Sequence, residues 1–229
     1  MADFLSITQE GNTLSVDSVR VSLPRTGCWL AQVVCPEPAS LEGPTTVTVG
    51  DLTLVGQADP TCSTTYLTRT HLTVVGGLGW RNVLPARHYH NDAGSGVKLS
   101  NVLQTTAGEA GETINVTSTK GVGVDYVRLK APASVVLRNL APDWYVAFDG
   151  TTRVEARQPT ELADDADGFE VLSFDPVLRV VSLKVTKPSV VVPGVILRGS
   201  PLERAFLVTS VEINIDNGKL SARAGGYYG

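Results

Sequence analysis

Two of the chain's three histidines stand two residues apart in His88-Tyr89-His90, with Asp92 following; the third is His71. In an extended strand, residues i, i+2 and i+4 project from one face, so His88, His90 and Asp92 could converge on one ion as a zinc-type donor set. The plainer reading is a polar loop ahead of the turn at 91–96, because such triplets arise often by chance, and no metal is assigned. Glu109, Glu112, Asp143, Asp149 and the run Asp164-Asp165-Ala166-Asp167 could supply the paired carboxylates of glycoside cleavage, which requires two of them at a set separation. Carboxylates are equally at home in turns and at helix ends, and no spacing here singles out a pair. No Gly-x-Ser-x-Gly frames a serine, and nothing frames the histidines as bases.

Gly76-Gly77-Leu78-Gly79 invites a phosphate-loop reading. It lacks the Lys-Ser/Thr that such a loop needs and continues Trp80-Arg81-Asn82, so a turn is expected. Cys28, Cys35 and Cys62 cannot all pair within one chain and show neither Cys-x-x-Cys nor Cys/His spacing. They read as reduced thiols packed like small apolar residues, with a bridge from Cys28 to Cys35 or Cys62 as the alternative. Trp29, Trp80 and Trp144 would suit a sugar-stacking groove if exposed, yet aromatics in strands more often join a core. The prediction is no catalytic, cofactor or metal set, hence no enzyme.

The elements that would position these residues are mostly strands. Val19, Val21 and Leu23 alternate with Ser18, Arg20 and Ser22, the period of a half-buried strand. Val47 and Val49, then Leu52 and Leu54, flank Gly50-Asp51 as in a tight hairpin. Tyr66, Thr68, Thr70, Leu72 and Val74 continue the alternation in one strand, whereas Pro36, Pro38 and Pro44 mark a loop. The period then changes. Leu99, Val102, Leu103, Ala107 and Ala110 fall on one helical face with Gly111 as the stop, and Pro132 opens a second helix through Ala133, Val136, Leu137 and Leu140 before Pro142. Residues 144–148 and 152–157 read as a hairpin about Asp149-Gly150. Strands return at Val181, Leu183 and Val185 after the acidic turn at 164–168. Val211, Ile213 and Ile215 then face Leu220, Ala222 and Ala224 across Asp216-Asn217-Gly218, a strong hairpin signal.

The expected organisation is N-terminal β-barrel strands in 1–80, an inserted α+β subdomain with two short helices in 81–160, and C-terminal strands completing the scaffold in 161–229. The closing Gly225-Gly226-Tyr227-Tyr228-Gly229 is uncharged and aromatic, and reads either as a flexible tail that frays or as an interface in which Tyr227 and Tyr228 dock on a neighbouring subunit.

With 229 residues, 42% hydrophobic and 18% charged, the chain can bury a real core and is not a disordered one. A net charge of -4 excludes a protein whose main task is gripping phosphate backbones, so no specific nucleic-acid binding is expected. No apolar run approaches a membrane span, and MADFLSITQEGNTL lacks the regions of a signal peptide, which predicts synthesis in a cytoplasm and no membrane partner.

The block LTVVGGLGWRNVLPARHYHNDAGSGVKLSNVLQTTAGEAGETI, then DYVRLKAPASVVLRNLAPDWYVAFDGTTRVEAR, VVVPGVILRG and the closing VTSVEINIDNGKLSARA together resemble the baseplate hub proteins of phage tails, the late-control and hub family of contractile and related tails. The similarity lies in the order of features over about residues 66–229. The resemblance implies tail-hub-type β-barrels with a helix-bearing insert, in a ring joining the tail tube to the central spike. It implies a homo-oligomer, a trimer, with the tail spike protein, the tail tube or distal tail protein and baseplate wedge proteins as partners, in the virion baseplate and made in a host cytoplasm. The family offers no catalytic residues to carry over. The chain is short for that family, so a minimal hub and a neighbouring ring subunit both fall within the resemblance. Rival expectations are a carbohydrate- or receptor-binding β-domain that exposes tryptophan, and a tail-associated cell-wall hydrolase using the carboxylates above.

Overall fold

The computed structural model describes residues 4–92, 94, 96–162, 168–216 and 218–228. The chain forms two compact units, Met1–Gly76 with Arg157–Gly229, and Gly77–Ala156. The fold is mainly β, with an inserted α+β unit that carries two short helices.

In the first unit the strands are β1 Leu5–Gln9, β2 Asn12–Ser15, β3 Ser18–Pro24, β4 Leu30–Cys35, β5 Gly43–Val49, β6 Leu52–Ala58, β7 Thr64–Tyr66 and β8 Arg69–Val75. The inserted unit holds β9 Val83–Leu84, β10 Arg87–His90, α1 Leu99–Ala110, β11 Ile114–Asn115, β12 Asp125–Arg128, β13 Ala131–Pro132, α2 Ala133–Leu140, β14 Tyr145–Val146 and β15 Thr152–Arg153. The first unit resumes with β16 Thr160–Leu162, β17 Phe169–Asp175, β18 Val180–Val185, β19 Val195–Gly199, β20 Leu202–Asp216 and β21 Lys219–Tyr228.

The first unit is one large sheet in the order β17-β18-β21-β20-β3-β4-β8-β6-β5-β1-β2, with β7 on β8 and β16 on β19 beside β20. Alternation sets its register. Leu183, Ala222, Ile213, Val21, Ala31, Val74 and Ala58 are successive cross-strand partners, and all seven are buried. A one-residue slip in any of these strands would turn its core side chains to water, and each buried Val, Leu or Ile side chain is worth about 1.5–3 kcal/mol, so the pattern enforces this pairing. The sheet rolls onto itself: the β5–β6 turn meets the segment after β18, where Asp51 accepts a bond from the Ser189 N–H at 3.0 Å.

The hairpins at Gly50-Asp51 and Asn217-Gly218 form as the sequence predicts, with Val49 opposite Leu52 and Asp216 opposite Lys219; Asn217 itself, like the acidic run 164–167, lies outside the described residues. The single strand expected from Tyr66 to Val74 is instead a hairpin, since Tyr66 pairs Arg69 across Leu67 and Thr68, with Leu67 at φ 56. A left-handed leucine carries no glycine signal, which is why alternation ran straight through the turn. Pro44 lies in β5 and not in the preceding loop, one residue past the last β5 residue paired with β1, where a missing donor is tolerated.

In the inserted unit, Leu99, Val102, Leu103, Ala107 and Ala110 are buried along α1, joined by Thr106. Its end has the Schellman pattern, with Gly111 at φ 80, Gly111 N–H on Gly108 O and Glu112 N–H on Ala107 O. Pro132 sits at the N-cap of α2, whose first N–H is taken by Asn82 O at 2.9 Å. The hairpin about Asp149-Gly150 is shorter than expected, with β14 and β15 of two residues each. One ribbon escaped the sequence reading. β9 and β10 pair β13 and β12 in a single continuing register, Val83 with Pro132 through His90 with Asp125, interrupted where Pro85 supplies no donor.

Candidate functional site

His88 and His90 do share one face of a strand, but their common partner is Asp125 on β12. Asp125 Oδ1 lies 2.9 Å from His88 Nε2 and 2.7 Å from His90 Nδ1, so two donors meet on one acceptor oxygen. Hydrogen bonds from His90 and then His88 hold the Asp125 carboxyl below the ordinary aspartate range. Asp92 is exposed and is not brought to the pair. Among the described residues no group of three or more His, Cys, Asp or Glu is arranged to hold a metal ion.

The candidate carboxylates are committed elsewhere. Glu109 pairs with Arg87 and Arg128. Burial pushes its pKa up, but hydrogen bonds from Arg128 and Arg87 outweigh that and hold it below its ordinary value. Glu112 takes the Gly79 N–H on Oε1 at 2.6 Å, and burial nevertheless leaves its pKa raised. Asp149 closes its own turn through the Thr151 N–H at 2.8 Å and reaches Arg153, contacts that outweigh burial and lower its pKa. Asp143 is exposed beyond the end of α2. Glu109, Glu112 and Asp149 each serve the architecture of the inserted unit.

The glycine run serves packing. A side chain at Gly76 would meet the Trp29 ring at 2.2 Å, one at Gly79 would meet Ala110 O at 2.2 Å, and Gly77 at φ 78 opens the 3-10 turn Leu78–Arg81. The tryptophans are core residues: Trp29 is 1%, Trp80 0% and Trp144 8% exposed. Trp80 donates Nε1–H to Thr152 Oγ1 at 2.8 Å and packs 6.1 Å from Trp144. A sugar-stacking groove built on them is thereby corrected, because burial leaves no ring face for a ligand. No disulfide joins Cys28, Cys35 and Cys62; Cys35 is buried, and burial, with Glu37 and Asp17 adding, pushes its thiol up to about 11.

Sequence reasoning missed Arg128. It is buried at the end of β12, where its guanidinium meets Glu109, Pro85 O at 3.1 Å and Thr106 Oγ1 at 3.2 Å. Its signal was positional, since Arg128 follows Tyr126 on the inward side of the ribbon while Asp125 and Val127 face out.

The closing aromatic residues are a strand and not a flexible tail. Tyr228 pairs Phe206 and Tyr227 pairs Leu207 along β20. The glycines before them permit close backbones, since a side chain at Gly226 would meet Leu207 O at 2.0 Å, and a bulge sits between Val208 and Ser210. Phe174, Phe206 and Tyr228 form an edge-to-face cluster with centroids 5.3–6.0 Å apart. They line a cavity of 330 Å³ with Pro176, Arg179 and Tyr227. A larger, shallow concavity of 550 Å³ lies on the outer face of β20, β3, β4 and β8 and includes Arg20, Gln32, His71 and Asn214. Arg20 there is already paired with Glu212 at 2.7 Å. No helix among the described residues is long and apolar enough to cross a membrane.

No protein-family model matches the chain, and no curated protein matches it. Solved structures do. A tail protein of prophage MuSo2 from Shewanella oneidensis superposes with a TM-score of 0.70 at 9% identity, over 98% of this chain and 97% of that one. A tail protein from Neisseria meningitidis MC58 gives 0.64 at 11% identity over 96% and 94%. The E. coli c3393 protein, described as a type VI secretion component with structural similarity to the T4 tail proteins gp27 and gp5, gives 0.64 at 11% identity over 96% and 76%. At such identities the likeness speaks to architecture, and the architecture of this chain is the one shared by phage tail proteins and a tail-like secretion component of the kind the sequence order resembles.

Proposed function

We propose that this chain is a structural subunit of a phage-type tail, placed in the central hub ring of the baseplate between the tail tube and the spike. The observation that carries the reading is a tail-protein fold spanning 98% of the chain and 97% of its structural neighbour. The site geometry supports a non-catalytic role, because Glu109, Glu112 and Asp149 are consumed by turns and ion pairs and the described residues bring no ligand set together. The ring is a homo-oligomer, a trimer in the hub reading. Its partners are the spike, the tube or distal tail protein and the wedge proteins, and its place is the virion baseplate. Co-expression with the spike and tube proteins of the same phage tests this. The subunit is expected to co-purify with one of them through size-exclusion chromatography, and consistent elution apart from both would contradict the reading.

A further inference from the structure

We propose that the place where β21 outruns β18 is a docking notch for one extended segment of another protein chain, which adds along the free edge of Tyr227 and Tyr228 and carries an apolar or aromatic side chain next to a carboxylate. This inference concerns a surface and stands whether or not the chain sits in a hub ring.

The notch follows from register. β18 pairs β21 from Leu183 opposite Ala222 to Val180 opposite Gly225, and Gly226 N–H still reaches Arg179 O at 3.2 Å. β20, on the other side, pairs β21 out to Phe206 opposite Tyr228. Tyr227 and Tyr228 therefore have a strand neighbour on one edge and no described ladder on the other. A strand end with one unpaired row of backbone groups is a template for strand addition, in which main-chain bonds supply affinity and a side-chain pocket supplies choice.

The pocket is present at that edge. The 330 Å³ cavity has Phe174, Phe206 and Tyr228 as its aromatic part, room for one large apolar side chain. The turn beside it is pinned open, because Asp175 Oδ1 accepts the N–H groups of both Val177 and Leu178 at 2.9 Å and Arg179 stands at φ 55. That turn leaves Val177 87% and Leu178 71% exposed, an apolar rim for an arriving segment.

Charge selects the occupant. Arg179 lines the cavity, and no acid among the described residues pairs with it. Arg25 adds a second cation at the same strand end, with Nη1 3.4 Å from the Tyr227 hydroxyl. The nearest acid in sequence, Asp175, has its Oδ1 occupied by the two backbone donors. Guanidinium groups at an open edge favour a carboxylate, which they can grip through two parallel bonds, over a neutral or basic partner.

The test uses the full chain, isotope-labelled, titrated with the blocked peptide Ac-Val-Asp-Phe-Asp-Val-amide and with its analogue bearing lysine in place of both aspartates. Amide signals of Arg179, Gly226, Tyr227 and Tyr228 are expected to move with the acidic peptide, which should bind about tenfold more tightly than the lysine analogue. Arg179→Glu, a change at an exposed side chain, should reverse that order while leaving the remaining spectrum in place. Absence of shifts at this strand end, or equal binding of both peptides that Arg179→Glu does not alter, would overturn the proposal. Self-association of the unliganded chain that Arg179→Glu abolishes would give the notch to a second copy and overturn it as well.

Discussion

Arg128 is the residue on which the ribbon of the inserted unit depends. Its guanidinium is buried, and among the described residues Glu109 is the acid that balances its charge. Glu109→Gln leaves a buried cation without its counter-ion, and should cost the unit about 2 kcal/mol, less than a fully buried pair would because the carboxylate is partly exposed. Urea unfolding followed by the fluorescence of Trp80 and Trp144 measures this. The pH dependence has a definite sign. A glutamate held below its ordinary value of 4.5 stabilises the fold above that pH and loses the contribution as pH falls through the depressed value, so the unit should weaken on acidification below about 4.5. Glu112 works the other way, its raised pKa imposing a penalty that appears only as it ionises, while Asp149 and Asp125 share the sign of Glu109, so Glu109→Gln should make the acid limb shallower without abolishing it. Trp80→Phe removes a buried donor from Thr152 Oγ1 and should destabilise by about 1–3 kcal/mol, seen as a lower urea midpoint. Iodoacetamide should label the exposed Cys62 in the native protein and spare the buried, high-pKa Cys35, with peptide mass spectrometry as the readout.

Among the elements, α1 illustrates how local rules and packing agree. Gly111→Ala forces an alanine into φ 80 at a Schellman end and should cost about 1 kcal/mol in thermal unfolding, with nothing else altered, since open space surrounds that position. α1, α2 and the Asn217-Gly218 hairpin were legible in the sequence because each is defined by neighbours a few residues away: a 3.6-residue period with its glycine stop, a proline start, a two-residue turn between alternating runs. The ribbon of β10 and β12 was not, because its partners are 35 residues apart between His90 and Asp125 and no periodicity records who pairs with whom. The histidine pair was half legible for the same reason. Strand geometry put His88 and His90 on one face, and only pairing could replace Asp92 by Asp125. Of the two readings of Tyr227 and Tyr228, the fraying tail came from composition, since a Gly-Gly-Tyr-Tyr run resembles one, whereas the glycines let β21 approach Leu207 closely enough to remain a strand.

At the scale of the whole molecule, the large sheet buries a row of side chains across seven strands, and the apolar residues exposed at its turns include Leu67, Val177 and Leu178. In the proposed hub ring such edges would be covered by identical neighbours. The proposed hub role requires this chain to form a ring when its tail partners are present. The most direct test is the stoichiometry and symmetry of the complex formed on co-expression with the spike protein, by multi-angle light scattering and electron-microscope class averages. Three copies of this chain in a three-fold ring bound to the spike is the predicted result. A chain that remains a monomer beside a correctly assembled spike would contradict it.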